Sequence, residues 1–374
     1  MKTIPIHCAI ILTVFGALSG VGCASHDSQR TETSSDNGEP VEDVGGLTPQ
    51  QVQWVEGKTQ RDFHDLMLSL DEAGPITDNA LSFLEGELEA WPDRARLLPS
   101  KWTDQALVGE ALPQHSVLAE TVSLRNRGID SEDLERNLSH PQFLEMLAHV
   151  SFLDLGQNTL GAEGAEILAQ IRELEGLRGL NLDDNSIGPE GMAHLASSSS
   201  LSDLSYLNLS SNGLGPEGVR TLVSASEFVA GIEYLVLDDN SINAQSMGVI
   251  GDSENLQSVV ALSLSNNRIG AVSSQKISAL SLAEVGSGLE FLKLSDADLR
   301  DEHVHQIFDS ASLQELRYLD MSGNDLRPEA VSSIAEEDFQ VLEYIVLGRN
   351  TAIGPKGAEI LADWQGGRVS EGLI

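Results

Sequence analysis

LRGLNLDDN, at residues 177–185, is the stretch of sequence that decides the fold, and SIGPEG follows it at residues 186–191. Related copies recur along the chain, and the last one ends at Asn350 before GPKG at residues 354–357. Successive copies are spaced by 27, 27, 28, 27, 30, 27 and 26 residues. The residues that align at the asparagine position are Asn158, Asn185, Asn212, Asn240, Asn267, Ala297, Asn324 and Asn350. A period in this range indicates a solenoid of stacked repeats.

The residue types within each copy predict one short strand followed by one helix. Leu180 and Leu182 alternate with polar residues, as in a strand with one buried face. The asparagine follows where the chain turns, and we expect its amide to bond the backbone of the turn and the stacked asparagines to bond one another. Pro189 suits the first position of a helix because its missing N–H needs no partner there. One repeat cannot bury its own apolar face, so neighbouring repeats must stack.

Residues 143–364 resemble ribonuclease-inhibitor-type leucine-rich repeat proteins. The resemblance implies an α/β solenoid with parallel strands on the concave face and helices on the convex face. It implies little about activity, because one fold carries many functions. Two repeats depart from the pattern: Ala297 replaces the asparagine of the sixth, and the eighth has one extra residue within 351–353. A degenerate copy at residues 121–129, with Arg127 in the asparagine place, is expected to begin the stack.

The N-terminal segment predicts export. Residues 1–22 contain Lys2, an apolar run too short to cross a membrane, and small residues before Cys23, which is typical of a secretory signal peptide. The small residues before Cys23 resemble a bacterial lipobox, which implies lipidation of that cysteine. A secreted protein without lipid and an uncleaved anchor are the alternatives. The expected location is the bacterial cell envelope, and Ala24 favours the outer membrane.

The next region is predicted to form a small helical cap. Thr48 and Pro49 are typical of a helix start, and one apolar stripe from Val52 to Leu70 follows them. Further helices are expected from Thr77 to Trp91 and from Thr103 to Leu112. A cap covers the exposed end of a repeat stack. A separate binding module is the alternative.

Five segments follow from these patterns. They are a signal peptide at 1–22, the anchor cysteine and a disordered polar tether at 23–46, the helical cap region at 47–116, the solenoid at 117–364 and a C-terminal tail at 365–374. The tail contains no complete capping element. We expect it to fold over the last repeat, because an open core edge is costly. An association surface at that end is the alternative.

The net charge of the chain is −36, from 58 acidic and 22 basic side chains. Such acidity argues against binding to nucleic acid or to anionic membrane surfaces. Contact with a membrane is therefore expected only through the lipid anchor. A basic protein partner fits the charge, and a solvated acidic surface without a specific partner is the alternative.

The side chains six places before each asparagine position are expected on the concave face. They are Phe152, Gly179, Tyr206, Tyr234, Ala261, Phe291, Tyr318 and Tyr344, which include all four tyrosines of the chain. The carboxylates beside them are Asp183, Asp184, Asp238 and Asp239, with Asp154 and Asp320 farther along. Together these residues predict a docking site for a basic, partly apolar protein segment. The alternatives are an aromatic ladder that stabilises the strands and a row of solvated polar residues.

The sequence gives no signal for catalysis. It contains no phosphate-binding loop, zinc-protease motif or nucleophile elbow. His303 and His305, beside Glu302, come nearest to a metal cluster, but residues two apart on a helix do not share a face. No catalytic residue, metal or cofactor is therefore predicted, and a non-enzymatic protein-binding scaffold is the favoured function. GTPase-activating proteins of the Ran pathway have the same repeat type, so a signalling regulator is one alternative. An acidic spacer without a ligand is another.

Overall fold

A computed structural model of the chain describes residues 47–73, 76–88, 96–271, 285–308, 313–336, 341–363 and 368–369. The predicted signal peptide, Cys23 and the polar tether lie outside these residues. The chain divides into two compact units between Ser123 and Leu124. The predicted boundary between cap and solenoid falls earlier, between residues 116 and 117.

The first unit is mainly helical over its described residues. Its helices span Pro49–Gly57, Gln60–Ala73, Asp78–Leu88 and Ser100–Leu107, followed by a 3-10 turn at Gln114–Leu118 and strand β1 at Thr121–Ser123. The first helix begins with a capping box, in which Thr48 Oγ1 accepts from the N–H of Gln51 and Gln51 Oε1 accepts from the N–H of Thr48. These two bonds satisfy backbone donors that a helix start otherwise leaves free.

The apolar stripe predicted as one helix belongs to two helices. The chain breaks at Lys58, whose φ of 56° lies in the left-handed region. Thr59 Oγ1 then accepts from the N–H of Asp62 at the start of the second helix. The last helix of the unit ends at Leu107 instead of Leu112, because the chain turns through Gly109 with a φ of 76°. Part of the helix predicted to reach residue 91 lies outside the described residues.

The second unit is a solenoid of strand-and-helix repeats. In its described residues, nine strands pair in parallel and in chain order. They are β2 Phe152–Asp154, β3 Gly179–Asn181, β4 Tyr206–Asn208, β5 Tyr234–Val236, β6 Ala261–Ser263, β7 Phe291–Lys293, β8 Tyr318–Asp320, β9 Tyr344–Val346 and β10 Arg368–Val369. The predicted α/β solenoid, with strands on its concave face and helices on its convex face, is confirmed.

Helices connect the strands and pack beside the helices of neighbouring repeats. The α-helices span Ser131–Leu138, Pro141–Leu147, Gly161–Ala169, Gly188–Ala196, Gly215–Ser224, Ser226–Val229, Ala244–Gly251, Asp301–Phe308, Pro328–Glu336 and Gly354–Asp363. Short 3-10 turns span Arg172–Leu174, Glu254–Leu256 and Val285–Gly288. A β-carbon at Gly191 would lie 3.0 Å from the Cα of Ala162 in the preceding helix, so the second glycine of GPEG lets adjacent helices approach closely.

The apolar residues of the repeated phrase form one continuous core. Leu180, Leu182 and Leu195 are 0% exposed, and Ile187 is 1% exposed. Burial of each such side chain contributes roughly 1.5–3 kcal/mol to folding. At the C-terminal end, Arg368 pairs with Tyr344, so two residues of the tail extend the sheet. No helix among the described residues is long and apolar enough to cross a membrane.

Candidate functional site

The repeat asparagines form a buried ladder beside the strands. Asn212 shows the pattern: its Oδ1 accepts from the N–H of Asn185 and Ile187 in the preceding repeat, at 3.1 and 3.2 Å. Its Nδ2 donates to the carbonyls of Leu182 and Leu209, at 2.8 and 3.0 Å. The exposed fractions are 0–8% for Asn158, Asn185, Asn212, Asn240, Asn267, Asn324 and Asn350. Both expected kinds of bond are present: the amide bonds the backbone of its own turn, and stacked asparagines bond one another, from the N–H of one to the Oδ1 of the next.

The column of residues six places before the asparagines runs straight across the sheet. The register pairs Phe152 with Gly179, Gly179 with Tyr206 and Tyr206 with Tyr234. It continues through Ala261, Phe291, Tyr318 and Tyr344. We call these eight residues the aromatic column. Every aromatic residue of the predicted docking site therefore lies in one row on the strand face.

Rings within the aromatic column contact one another. The centroids of Phe152 and Tyr206 are 5.4 Å apart, and those of Phe291 and Tyr318 are 6.3 Å apart with the rings stacked. Tyr206 and Tyr318 are 4% and 6% exposed, and Tyr234 is 2% exposed. Burial raises the pKa of Tyr318 well above its ordinary value, because ionisation would place a charge in this apolar row. Such contacts are those of a ladder that stabilises neighbouring strands.

The predicted acidic residues separate into two groups. Asp183 is held by Arg125, whose Nη1 and Nη2 donate to its two carboxylate oxygens at 2.5 and 2.7 Å. Asp238 Oδ1 accepts from Ser263 Oγ at 2.5 Å and from the N–H of Ser265 at 2.7 Å. Burial raises the pKa of Asp238, and the bond from Ser263 partly opposes this shift. Both carboxylates are therefore engaged inside the molecule.

Asp184 and Asp239 form the second group, and both are exposed. Each lies directly before a ladder asparagine. The residues at this place in successive repeats all have left-handed backbone conformations, with φ between 52° and 68°. We call this column the rim; its residues are Asn126, Gln157, Asp184, Ser211, Asp239, Asn266, Asp296, Gly323 and Arg349. Asn, Asp and Gly tolerate this conformation best, which explains their frequency there. Between the two aspartates lies Ser211, whose Oγ donates to Asp239 Oδ2 at 3.3 Å.

The sequence prediction missed two arginines in the turns that follow the strands. Arg125 binds Asp183, and Arg349 binds Asp296. The pKa of Arg125 is raised above its ordinary value, chiefly because Asp183 accepts its hydrogen bonds. The alignment of the repeats contains a signal for both pairs. Arg125, Gly156 and Asp183 occupy the same place in three consecutive repeats, and so do Asp296, Gly323 and Arg349.

The histidines considered as metal ligands have other partners. His303 is 0% exposed, and its Nδ1 accepts from the N–H of Arg300 at 2.9 Å at the start of a helix. Burial lowers the pKa of His303, which favours the neutral ring. His305 Nε2 lies 3.1 Å from Ser333 Oγ. Over the described part of the chain, no group of three or more His, Cys, Asp or Glu side chains is arranged to hold a metal ion.

Four segments of the chain match a known family of repeats. The family model described as "Leucine Rich repeat" matches residues 147–169, 177–196, 200–223 and 313–335. No curated protein matches the sequence.

Three solved structures illustrate the similarity. The leucine-rich repeat-containing protein LegL7 from Legionella pneumophila is 17% identical, with 67% of this chain and 82% of that chain covered and a TM-score of 0.48. Human 5T4, or trophoblast glycoprotein, is 19% identical over 66% of this chain and 84% of that chain, with a TM-score of 0.45. The internalin inlF from Listeria monocytogenes is 17% identical over 69% of this chain and 68% of that chain, with a TM-score of 0.42. The parallel sheet and the asparagine ladder show an α/β leucine-rich repeat solenoid, and four segments of this solenoid match the family model.

Proposed function

We propose that this protein is a non-enzymatic scaffold that binds another protein on the concave face of its solenoid. The observation that carries the proposal is the pair of parallel columns: the aromatic column on the strands, and the rim in the turns that follow the strands. Equal places in neighbouring strands lie about 4.8 Å apart, so a partner that crosses the sheet can contact residues of both columns. Aromatic rings that keep partial exposure, as Phe152, Phe291 and Tyr344 do, are favoured anchors in protein interfaces.

The partner is proposed to present basic side chains. Asp184 and Asp239 are exposed at the rim, whereas Asp183 is already bound by Arg125. The net charge of −36 attracts cationic surfaces over long distances. Electrostatic attraction of this kind mainly sets the association rate and the specificity.

A charge-reversal experiment tests this proposal. The rim variant Asp184→Lys/Asp239→Lys is compared with Glu190→Lys/Glu217→Lys, which makes the same charge change at two exposed residues on the helix side. Affinity capture from envelope extracts should retain the same basic protein with the wild type and the helix-side variant, and lose it with the rim variant. If both variants lose the partner equally, the net charge of the protein, and not the rim, determines binding. If no specific partner is captured, the alternative of an acidic spacer without a ligand is favoured. The ring contacts would then serve only to stabilise neighbouring strands.

We also propose that the protein is exported and held in the cell envelope by a lipid on Cys23. The signal-like residues 1–22 and the small residues before Cys23 support this proposal. Mass spectrometry of the N-terminal peptide should find Cys23 as the first residue, carrying lipid, and Cys23→Ser should release the protein from membranes. An intact Met1 on the mature protein would contradict this location.

A further inference from the structure

One asparagine of the ladder is followed by glycine, and this pair of residues is chemically labile. Along the chain, the residues that follow the ladder asparagines are Thr159, Ser186, Gly213, Ser241, Arg268, Asp325 and Thr351. Asparagine is a thermolabile residue, and a glycine after it offers least hindrance to deamidation, because no side chain obstructs the attacking backbone nitrogen. Asn212 is the only asparagine in residues 47–374 that a glycine follows.

Deamidation at this pair needs only the chain and water. The backbone nitrogen of Gly213 attacks Cγ of Asn212 and forms a new N–C bond. The bond from Cγ to Nδ2 breaks, and Nδ2 leaves as ammonia with the proton of the Gly213 nitrogen. Water then opens the cyclic imide and leaves aspartate or isoaspartate at position 212. A carboxylate, which can only accept hydrogen bonds, thereby replaces an amide that also donates them.

The folded ladder opposes this reaction at the side chain. Asn212 is 2% exposed, and its amide makes five hydrogen bonds to backbone groups of its own turn and of the preceding repeat, two into Oδ1 and three from Nδ2. Attack by nitrogen turns the planar Cγ into a tetrahedral carbon, which moves Oδ1 and Nδ2 away from these partners. The ladder bonds of Asn212 must therefore break before the imide forms.

The following repeat holds the backbone on both sides of Gly213. Asn240 Oδ1 accepts from the N–H of Asn212 and from the N–H of Leu214, at 3.1 and 3.2 Å. The carbonyl of Asn240 accepts from the N–H of Gly215 at 3.0 Å. Gly213 itself is exposed and has a φ of 65°. Solvent thus reaches the glycine, whereas the asparagine beside it stays protected while Asn240 holds the turn.

The product of deamidation does not fit the closed ladder. A carboxylate would place an oxygen where Nδ2 of Asn212 lies, 2.8 Å from the carbonyl oxygen of Leu182 and 3.0 Å from those of Leu209 and Ser210. Burial of a negative charge against these oxygens is costly. Isoaspartate also adds one atom to the backbone of the turn. Repeats that have opened and reacted therefore cannot close as before.

We propose that Asn212 and Gly213 form a deamidation site, protected while the ladder is closed, whose reaction makes opening of the solenoid irreversible. Each repeat of a solenoid is stabilised mainly by its direct neighbours, so repeats open locally. The site follows β4, near the middle of the sheet, so one reaction interrupts the ladder with repeats on both sides of the break. This site is separate from binding on the concave face.

Peptide mass spectrometry of the full chain, incubated at neutral and mildly alkaline pH, tests the protection. Asn240→Ala should speed deamidation at position 212 by about tenfold or more, because the N–H groups of Asn212 and Leu214 lose their buried acceptor and the turn opens more often. Unchanged deamidation in folded Asn240→Ala would overturn the proposal.

A distant ladder asparagine provides the matched control. Asn324 Oδ1 accepts from the N–H of Ala297 and Leu299, both at 3.0 Å, so Asn324→Ala removes the same kind of bonds elsewhere in the ladder. It should change the rate at position 212 by less than about twofold, because solenoid repeats act mainly on their neighbours. Equal acceleration by Asn240→Ala and Asn324→Ala would overturn local opening as the route.

A second control removes the glycine. Ser186 and Ser241 occupy the place of Gly213 in the neighbouring repeats, with φ of 56° and 57°, so Gly213→Ser suits this conformation. The variant should lose the deamidated peptide, because a side chain hinders the attacking nitrogen. Deamidation at position 212 that is as fast in Gly213→Ser as in the wild type would exclude this pair as the reactive site.

Wild-type protein in urea keeps the proposal testable if Asn240→Ala does not fold. Deamidation at position 212 should accelerate with urea in parallel with hydrogen exchange of the Asn185 and Ile187 amides, which bond Asn212 Oδ1. A rate in the native protein equal to the rate in the fully unfolded chain would show that the ladder gives no protection.

The effect of the product is measured separately with Asn212→Asp. This variant should speed hydrogen exchange of the Asn185 and Ile187 amides about tenfold at neutral pH, because the carboxylate repels the carbonyls that Nδ2 binds. Asn266→Asp, at an exposed rim residue, is the control and should leave this exchange unchanged. Native exchange in Asn212→Asp would contradict irreversible opening.

Discussion

The rings of Phe152 and Tyr206 lie 5.4 Å apart, although Gly179 separates them in the sheet. The Phe152 ring occupies the space above Gly179, where a β-carbon would overlap it. The contact therefore spans three strands, and it depends on the absence of a side chain in the middle strand.

Filling that space should destabilise the solenoid. Gly179→Val would push the Phe152 ring away from Tyr206, and we expect the free energy of unfolding to fall by about 1–3 kcal/mol. Urea denaturation measures the change. Gly176→Val is the control, because a β-carbon there has no neighbour within 4 Å. Equal stability of the two variants would mean that the ring contact does not contribute.

The asparagine ladder predicts a larger loss for a buried amide than for an exposed one. Asn212→Ala should lower the free energy of unfolding by about 3 kcal/mol, because backbone groups in two repeats lose their buried partners. Asn208→Ala, on the strand face, removes an amide whose Oδ1 accepts only locally, from Ser210. That control substitution should lower the free energy of unfolding by only about 1 kcal/mol. Similar losses in thermal or urea denaturation would argue against the ladder as the main polar connection.

Asp238 predicts a pH dependence with a defined sign. Burial raises its pKa in the folded state above the ordinary value of 3.8, so the folded state retains the proton to higher pH than the unfolded state. The contribution of Asp238 to stability is therefore greatest at low pH and is lost as the pH rises through the folded-state pKa. Asp238→Asn, which keeps an oxygen that can accept from Ser263 and Ser265, removes this titration.

Urea denaturation from about pH 4 to about pH 7 measures the effect. The stability of the wild type relative to Asp238→Asn should fall as the pH rises through this range. Asp184→Asn is the matched control, because its carboxylate is exposed at the rim of another repeat. Two results would contradict a raised pKa for Asp238. The difference in unfolding free energy between wild type and Asp238→Asn could stay constant with pH, or the wild type could gain stability relative to the variant as the pH rises.

The repeat period was sufficient to predict the strands, the helices and the buried positions. Leu180 and Ile187 recur at fixed places because every repeat must present the same apolar face to its neighbours. The period also aligned the aromatic column, since residues at equal places in parallel strands are in register. Local exceptions were harder to predict: the break at Lys58 depends on a single left-handed residue inside an apolar stripe.

The acidic residues show why a site is harder to predict than a fold. Asp183 and Asp184 are adjacent and look equivalent in the sequence. Asp183 faces Arg125, whereas Asp184 lies on the exposed left-handed rim. The partner of Asp183 is 58 residues away, so only the stacking of three repeats brings them together. The docking role of the aromatic and acidic residues stays a prediction.

The most direct test of binding on the concave face is a carboxyl-labelling footprint of the full chain with and without its captured partner. Carbodiimide labelling is followed by mass spectrometry at two exposed rim residues, Asp184 and Asp239, and at two exposed helix residues, Glu190 and Glu217. The account predicts that the partner lowers labelling at Asp184 and Asp239 and leaves Glu190 and Glu217 unchanged. Protection of Glu190 and Glu217 with full labelling of the rim would contradict it.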